Sequence, residues 1–342
     1  MTRQKILRRI QEFLAIRNTT HLTQVLDVTA HALTLQSGYK KYNEFTIPKP
    51  SGGLRYIESP SPGLKDIQRK LNRFLQAVYF QRRTKAAYGF IIDVKNTSDR
   101  NIITNARQHL NAPYLVNMDF KDFFHQITKP KVHQIFRKQP FFFSKEISKI
   151  LTDVCCYKGR LPMGAPTSPV LTNIYCIPLD RQISDFADGL GIRYTRYADD
   201  MSFSGNISID KDFRDTVGNI AMQYGLSLHP GKTKIFGPND IKKVTGILVS
   251  DRLYLPPELL EDTRVEIKRL RNIIEVGNNY GAKHADWVKH YKLKINGYLQ
   301  FSKQVIGKSD PLIISLQHEY NQALNPPKVT DPISWRELPY QF

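Results

Sequence analysis

Cysteine is scarce in this chain, with 3 among 342 residues. Cys155 and Cys156 are neighbours, which rarely bridge each other, and Cys176 stands apart, so the chain offers neither a disulfide framework nor a zinc-binding spacing. A reducing interior is expected. Long hydrophobic runs are missing too: no stretch approaches the ~18 apolar residues that a membrane-spanning helix needs. The first ten residues, Met1 to Ile10, are basic but have no apolar signal core behind them. No membrane span and a cytoplasmic location are therefore expected. Acidic residues are few beside basic ones, 31 Asp and Glu against 50 Lys and Arg, a formal charge of +19. Such an imbalance favours a polyanionic partner, nucleic acid or an anionic surface.

What is present is globular in character. Hydrophobic residues make up 41% and charged residues 24%, without repeats or low-complexity segments, and the length suits two or three substructures. The positive charge is concentrated: residues 1–85 hold 16 Lys or Arg and 5 Asp or Glu, or +11 of the total. Residues 1 to about 45 read as short helices, with Ile6, Ile10, Phe13 and Leu14 at helical spacing. Tyr42 to Lys49 and Leu54 to Glu58 alternate as two strands about a Pro50-Ser-Gly-Gly53 turn, which puts Lys49 and Arg55 beside a flexible tip. A helix with apolar residues at 3-4 spacing follows over Leu64–Tyr79. Further helices are expected over Pro130–Tyr157, Lys211–Tyr224, from Pro256, and over Asp286–Ile306, with a strand over Lys242–Ser250.

Two places carry chemistry. Tyr114-Leu-Val-Asn-Met-Asp119 reads as a buried strand that ends in a carboxylate. Arg193-Tyr-Thr-Arg-Tyr-Ala-Asp-Asp-Met-Ser-Phe-Ser204 reads as a tight antiparallel hairpin with Asp199 and Asp200 at its tip. Asp is a common turn residue, and the ordinary reading of this pair is a turn. Two adjacent carboxylates nonetheless repel, and such a tip is costly unless a cation or hydrogen bonds compensate. With Asp119 added, the residue types suit two Mg²⁺ ions about 4 Å apart, which take hard oxygen ligands and stabilise the attacking and leaving oxygens of nucleotidyl transfer. The proline-flanked loop Leu161 to Pro169 has Gly164 and Ala165 where a ligand could approach closely, and it feeds a helix start.

The order of these motifs resembles that of reverse transcriptases. Leu115 to Phe124 resembles the family's first aspartate motif, Leu161 to Pro169 its Leu-Pro-Gln-Gly-x-x-x-Ser-Pro motif, Tyr197-Ala-Asp-Asp200 its second, and His229 to Ile235 its lysine motif. Asn105-Ala-Arg-Gln-His109 and Val244-Thr-Gly246 resemble two signatures of the bacterial retron enzymes. The resemblance implies an α+β right-hand polymerase: a basic helical extension over 1–44, fingers and palm over 45–250, a helical thumb over 251–325 and a tail over 326–342. It implies Asp119, Asp199 and Asp200 as Mg²⁺ ligands assisted by the carbonyl of Phe120, and Lys232 as proton donor to pyrophosphate. Lys49 and Arg55 would hold the triphosphate and Phe124 would exclude a ribose 2′-OH. Met163, beside Gly164 at the nascent pair, departs from the usual Gln, which bears on nucleotide preference and leaves the metal ligands untouched.

The same resemblance implies RNA-directed DNA synthesis from dNTPs on a cognate structured non-coding RNA. Priming from a guanosine 2′-OH would give a branched DNA product, in an antiphage defence system with an effector protein as partner. Asn105, His109 and Val244, Thr245 and Gly246 would lie at the RNA, joined by a basic helical stripe of Arg264, Lys268 and Arg271. Two other readings stand beside it: another bacterial reverse transcriptase of abortive-infection or diversity-generating type, and a non-catalytic RNA-binding scaffold.

Overall fold

The computed structural model describes residues 1–38, 42–49, 52–95, 97, 99–280 and 286–326, with the side chains of 276–280 excepted. Pro50 and Ser51 of the expected hairpin turn, and the tail beyond residue 326, lie outside the described residues. The chain forms two compact units, Met1–Thr245 and Gly246–Phe342.

The first unit opens with α1 (Arg3–Leu14), α2 (Thr19–Leu26) and α3 (Ala30–Gly38). Thr2, Asn18 and Thr29 start these helices, each accepting a backbone N–H through its side chain. The buried stripe Ile6, Ile10 and Phe13 of α1 joins one continuous core with the strands and helices that follow. The hairpin β1 (Tyr42–Pro48) and β2 (Leu54–Pro60) comes next, then α4 (Pro62–Arg82), which extends the helix expected over 64–79 at both ends, and α5 (Ile102–Arg107). A capping box of Asn101 and Thr104 fixes the start of α5.

The functional sheet is assembled from β3 (Tyr114–Asp119), β4 (Arg193–Tyr197), β5 (Asp200–Gly205) and β6 (Lys234–Phe236), all antiparallel neighbours in the order β4-β5-β3-β6. Between β3 and β4 run α6 (Lys129–Arg137), α7 (Lys145–Cys155), α8 (Ser168–Tyr175) and α9 (Ile177–Asp188). The single helical region expected over 130–157 is thus two helices. They part where Phe141 and Phe143 turn into the core while Phe142, at φ 46°, is 71% exposed. After β5 comes α10 (Lys211–Gln223), and β7 (Lys242–Val244) ends the unit.

The second unit holds the hairpin β8 (Ile247–Val249) and β9 (Leu253–Tyr254), then α11 (Pro257–Tyr280), α12 (Asp286–Ile306) and α13 (Pro311–Leu324). The strand expected over 242–250 is divided at Thr245 and Gly246, which both take positive φ. Ile267, Leu270 and Ile274 of α11 bury against Ile295 and Leu299 of α12 and Leu316 and Tyr320 of α13. All three cysteines are buried, and none is in a disulfide. Among the described residues no helix is long and apolar enough to cross a membrane.

One buried ion pair stands inside the first unit. Arg196 of β4, fully buried, donates from Nε and Nη2 to the two carboxylate oxygens of Asp180 on α9, each at 2.7 Å. Its Nη1 donates to Asn173 Oδ1 at 3.0 Å and to the carbonyl of Ala198 at 2.9 Å. Burial opposes the guanidinium charge, but Asp180 outweighs it and holds Arg196 well above its ordinary value. Arg196→Leu, which strands Asp180 without its partner, is expected to cost about 3–5 kcal/mol in urea unfolding. The double change Arg196→Leu with Asp180→Leu is expected to cost less than the single one, because no buried charge is left alone.

Candidate active site

The carboxylates meet through strand register. Asp119, last residue of β3, lies directly opposite Asp200, first residue of β5. The turn between β4 and β5 consists of Ala198 and Asp199; Ala198 takes φ 59°, and the Asp199 carbonyl accepts the N–H of Phe120 at 3.1 Å. Two features hold that turn. Arg196 bonds the Ala198 carbonyl from inside, and Gly89 packs against its backbone so closely that a Cβ there would come within 2.6 Å of the Ala198 nitrogen. Asn173 in turn donates to the Gly89 carbonyl at 2.9 Å. The loop after α10 is positioned from β3 as well: His229 N donates to the Asp119 carbonyl at 2.7 Å, and Lys121 N donates to the Ser227 carbonyl at 3.0 Å.

Lys232 follows from that loop and places its Nζ 3.0 Å from Asp119 Oδ1. Burial disfavours its charge, but the bond to Asp119 and the charges of Asp199 and Asp200 raise the ammonium above its ordinary value. The carboxyls respond in the opposite sense to their crowding. Burial, then the charge of Asp119, pushes Asp199 up, with Lys232 and Arg55 opposing. Asp200 keeps an exposed edge, yet burial and the repulsion of Asp199 and Asp119 push it up to about 7. The cluster is therefore short of positive charge. Among the described residues no three His, Cys, Asp or Glu side chains already converge as a metal cage. The donor set is nonetheless right in kind for a hard divalent cation: carboxylates registered on neighbouring strands, with the Phe120 carbonyl beside them.

Around this point the other expected residues fall into two groups. Lys49 and Arg55 are exposed on the β1–β2 hairpin, and the charge of Arg55 is felt at Asp199. Phe124 is half-buried, its ring 6.1 Å from Phe123 and 6.2 Å from Phe90. The Met163 carbonyl accepts Glu58 N–H of β2 at 2.7 Å. Gly164, at φ 132°, leaves no room for a Cβ, which would stand 2.7 Å from the Glu58 carbonyl. Its bareness thus serves the packing of the loop on β2.

The second group is internal. His109 is buried and its two ring nitrogens bond Ser204 Oγ and Thr195 Oγ1, each at 2.7 Å, tying β5 to β4. Burial and the charge of Arg193 hold it down to about 3, so the ring is neutral. Asn105 and Val244 are buried too, and Thr245 Oγ1 donates to the carbonyl of Ile102 at 3.0 Å. In the second unit Gly246 has open space around it. There Arg264 pairs with Glu319 at 3.6 Å and Arg271 with Glu275 at 2.8 Å, while Lys268 is exposed. The stripe read from spacing is thus partly neutralised.

Sequence reasoning missed Arg196, Asp180, Asn173 and Gly89, which support the turn without reaching its carboxylates. One signal was available: strand alternation places Arg196 on the same face as buried Tyr194 and commits a charge to the interior.

Residues 47–252 match the family described as "Reverse transcriptase (RNA-dependent DNA polymerase)". That defines the class: an RNA-directed DNA polymerase with the right-hand fold. Among relatives, the Escherichia coli retron Ec86 reverse transcriptase is 31% identical over 280 residues, covering 80% of each chain. The Myxococcus xanthus retron Mx162 enzyme is 32% identical over 237 residues, 61% of this chain and 47% of that one. The Mx65 enzyme of the same organism is 28% identical over 287 residues, 78% and 62% of the two chains. The chain belongs to the bacterial retron reverse transcriptases. Among solved structures, a Candida albicans telomerase with a fragment of telomeric RNA aligns over 84% of this chain and 64% of its own, at 10% identity and a TM-score of 0.48.

The raised carboxyl of Asp200 has a consequence for stability without metal. An unfolded Asp titrates near 3.8, against about 7 here, so the folded protein holds the proton more tightly between those values. The penalty is absent below about pH 4, grows as pH rises, and is complete above about pH 7. In chelator, Asp200→Asn is expected to raise the thermal midpoint at pH 8, with the difference vanishing toward pH 4.

Proposed function

We propose that this polymerase reverse transcribes part of a cognate structured non-coding RNA, starting from a guanosine 2′-OH within it. The product is branched multicopy single-stranded DNA, made within an antiphage defence system that includes an effector protein. The observation that carries the catalytic reading is the register of Asp119 against Asp200 beside Asp199, in a chain of retron kinship. Residues 45–250 serve as fingers and palm and 251–325 as thumb. The excess of basic residues over 1–85, with Lys268 on α11, contacts RNA phosphates.

Asp119, Asp199 and Asp200, with the Phe120 carbonyl, hold the metal. When bound, two Mg²⁺ ions supply a nucleophile of lowered proton affinity and neutralise the leaving pyrophosphate. Lys49 and Arg55 hold the triphosphate from the hairpin, where charge neutralisation and alignment are the main demands of phosphoryl transfer. Lys232 is the ammonium nearest the carboxylates, 3.0 Å from Asp119 Oδ1, and serves as donor to pyrophosphate; the carboxylates that raise its proton affinity hold that proton until a cation answers their charge. The Phe124 ring, beside Phe90 and Phe123, serves in this reading to exclude a ribose 2′-OH.

The reading is tested by co-expression with the flanking locus. A short multicopy DNA is expected from the wild type and none from Asp199→Ala with Asp200→Ala; persistence of that DNA in the double variant removes the catalytic assignment. In purified enzyme, Phe124→Ala is expected to narrow the preference for dNTPs over rNTPs by about 10–100-fold, read as the ratio of kcat/KM values.

A further inference from the structure

The β1–β2 hairpin is exposed along most of its length and fastened at its base. Residues 43–49 and 54–56 all face solvent. At the base, Glu44 and Glu58 are directly opposite one another on the two strands, an arrangement of like charges that destabilises a sheet unless each is answered. Both are answered from the same short turn. Lys158 pairs with Glu44 Oε1 at 2.5 Å and Tyr157 donates to it at 2.9 Å, with the Tyr157 ring stacked on Tyr42 at 4.2 Å. Arg160 donates to the two oxygens of Glu58 at 2.8 and 2.9 Å.

Glu58 differs from Glu44 in being fully buried and in reaching three other parts of the site. Its N–H donates to the Met163 carbonyl at 2.7 Å, and its own carbonyl lies where only a glycine at 164 fits. Its carboxylate stands 3.5 Å from Nε2 of His125, the residue after Phe124. Arg160 also bridges the backbone of Thr128, and Leu161 N–H donates to the Ile127 carbonyl at 3.0 Å, so the segment behind Phe124 is joined to the same turn. Burial works against the Glu58 charge, but Arg160 and then His125 prevail and hold the carboxyl below its ordinary value. It is a carboxylate at neutral pH.

We propose that Glu58 is a positioning residue for nucleotide selection: its buried carboxylate, through Arg160 and His125, and its backbone, against Met163 and Gly164, set the hairpin that carries Lys49 and Arg55, the Met163–Gly164 loop and the Phe124 segment relative to one another. This rests on the reading of Lys49, Arg55 and Phe124 given above. The leverage is large. Arg55 lies three residues along β2 from Glu58, about 10 Å at strand spacing, so a tilt of about 10° at the base moves its head by roughly 2 Å. A misplacement of about 1 Å can cost on the order of 100-fold in reactions that depend on alignment. Glu58 touches none of the metal-binding carboxylates, so its loss falls on nucleotide binding and sugar choice more than on turnover.

The test is single-nucleotide primer extension with dNTPs and rNTPs. For Glu58→Gln we expect KM for dNTP to rise about tenfold while kcat stays within about threefold, and the dNTP preference to fall by about fivefold or more. A Glu58→Gln enzyme that folds as the wild type does, with KM and preference both unchanged, overturns the proposal. Should Glu58→Gln fail to fold, Gly164→Ala, whose Cβ presses on the Glu58 carbonyl, must give the same split between KM and kcat; an unchanged split there overturns it equally. Arg55→Ala and Phe124→Ala separate the two layers of the argument. If they alter KM and sugar preference while the Glu58 and Gly164 variants do not, only the positioning role falls. If they too change nothing, the reading of the hairpin and gate falls, and the role of Glu58 with it.

Discussion

The geometry of the carboxylate-bearing turn depends on a charge pair that never meets solvent. Arg196 and Asp180 are both fully buried, and each is expensive to place in the interior alone. Together they satisfy one another through two parallel bonds, and the guanidinium has a donor left for Asn173 and for the Ala198 carbonyl. That last bond matters most. A turn with a non-glycine residue at φ 59° and an acidic residue beside it would relax if nothing held its backbone. The planar fork of arginine makes this possible, since lysine could not hold a carboxylate with two donors and still reach the turn in fixed directions.

The same device recurs at the fingers hairpin, where Arg160 grips Glu58 in the same bidentate fashion. Each pair anchors a part of the chain whose useful atoms lie further out, at the turn in one case and at the hairpin in the other. The many exposed ion pairs, such as Arg8 with Glu12 and Lys211 with Asp215, are of another kind, with little energy and no positional consequence. Arg196 and Arg160 instead fix backbone positions from within or near the core.

Much of this architecture was legible beforehand. The strand ending at Asp119, the hairpin around Asp199 and Asp200, and the helix over 286–306 follow from period and turn chemistry, because each is a local pattern with few competing solutions. Motif order singled out Lys232, but its bond to Asp119, across 113 positions, is seen only in the fold. The break between α6 and α7 was hidden because Phe141 and Phe143 look like helix-core residues and are in fact buried from an irregular segment. The roles of Glu58 and Arg196 were hidden for a deeper reason. A charged residue in a strand signals solvent by default, and only its partner, many positions away, reveals that it is inside. At Gly164 the absence of a side chain is required by a backbone carbonyl of β2, which no local pattern shows.

The order of strands across the functional sheet carries a cost during synthesis. β3 lies between β5 and β6, and both of those neighbours are encoded after it. A ribosome adding about 5–20 residues per second emits Asp119 roughly 4–16 seconds before the strand that will pair with it. Throughout that interval Leu115, Val116 and Met118, all core residues in the finished protein, belong to a strand with two open edges. The nascent chain is then at its most adhesive. Helices α1 to α4, already made, and α6 to α9, made during the wait, carry the core residues available to shelter it.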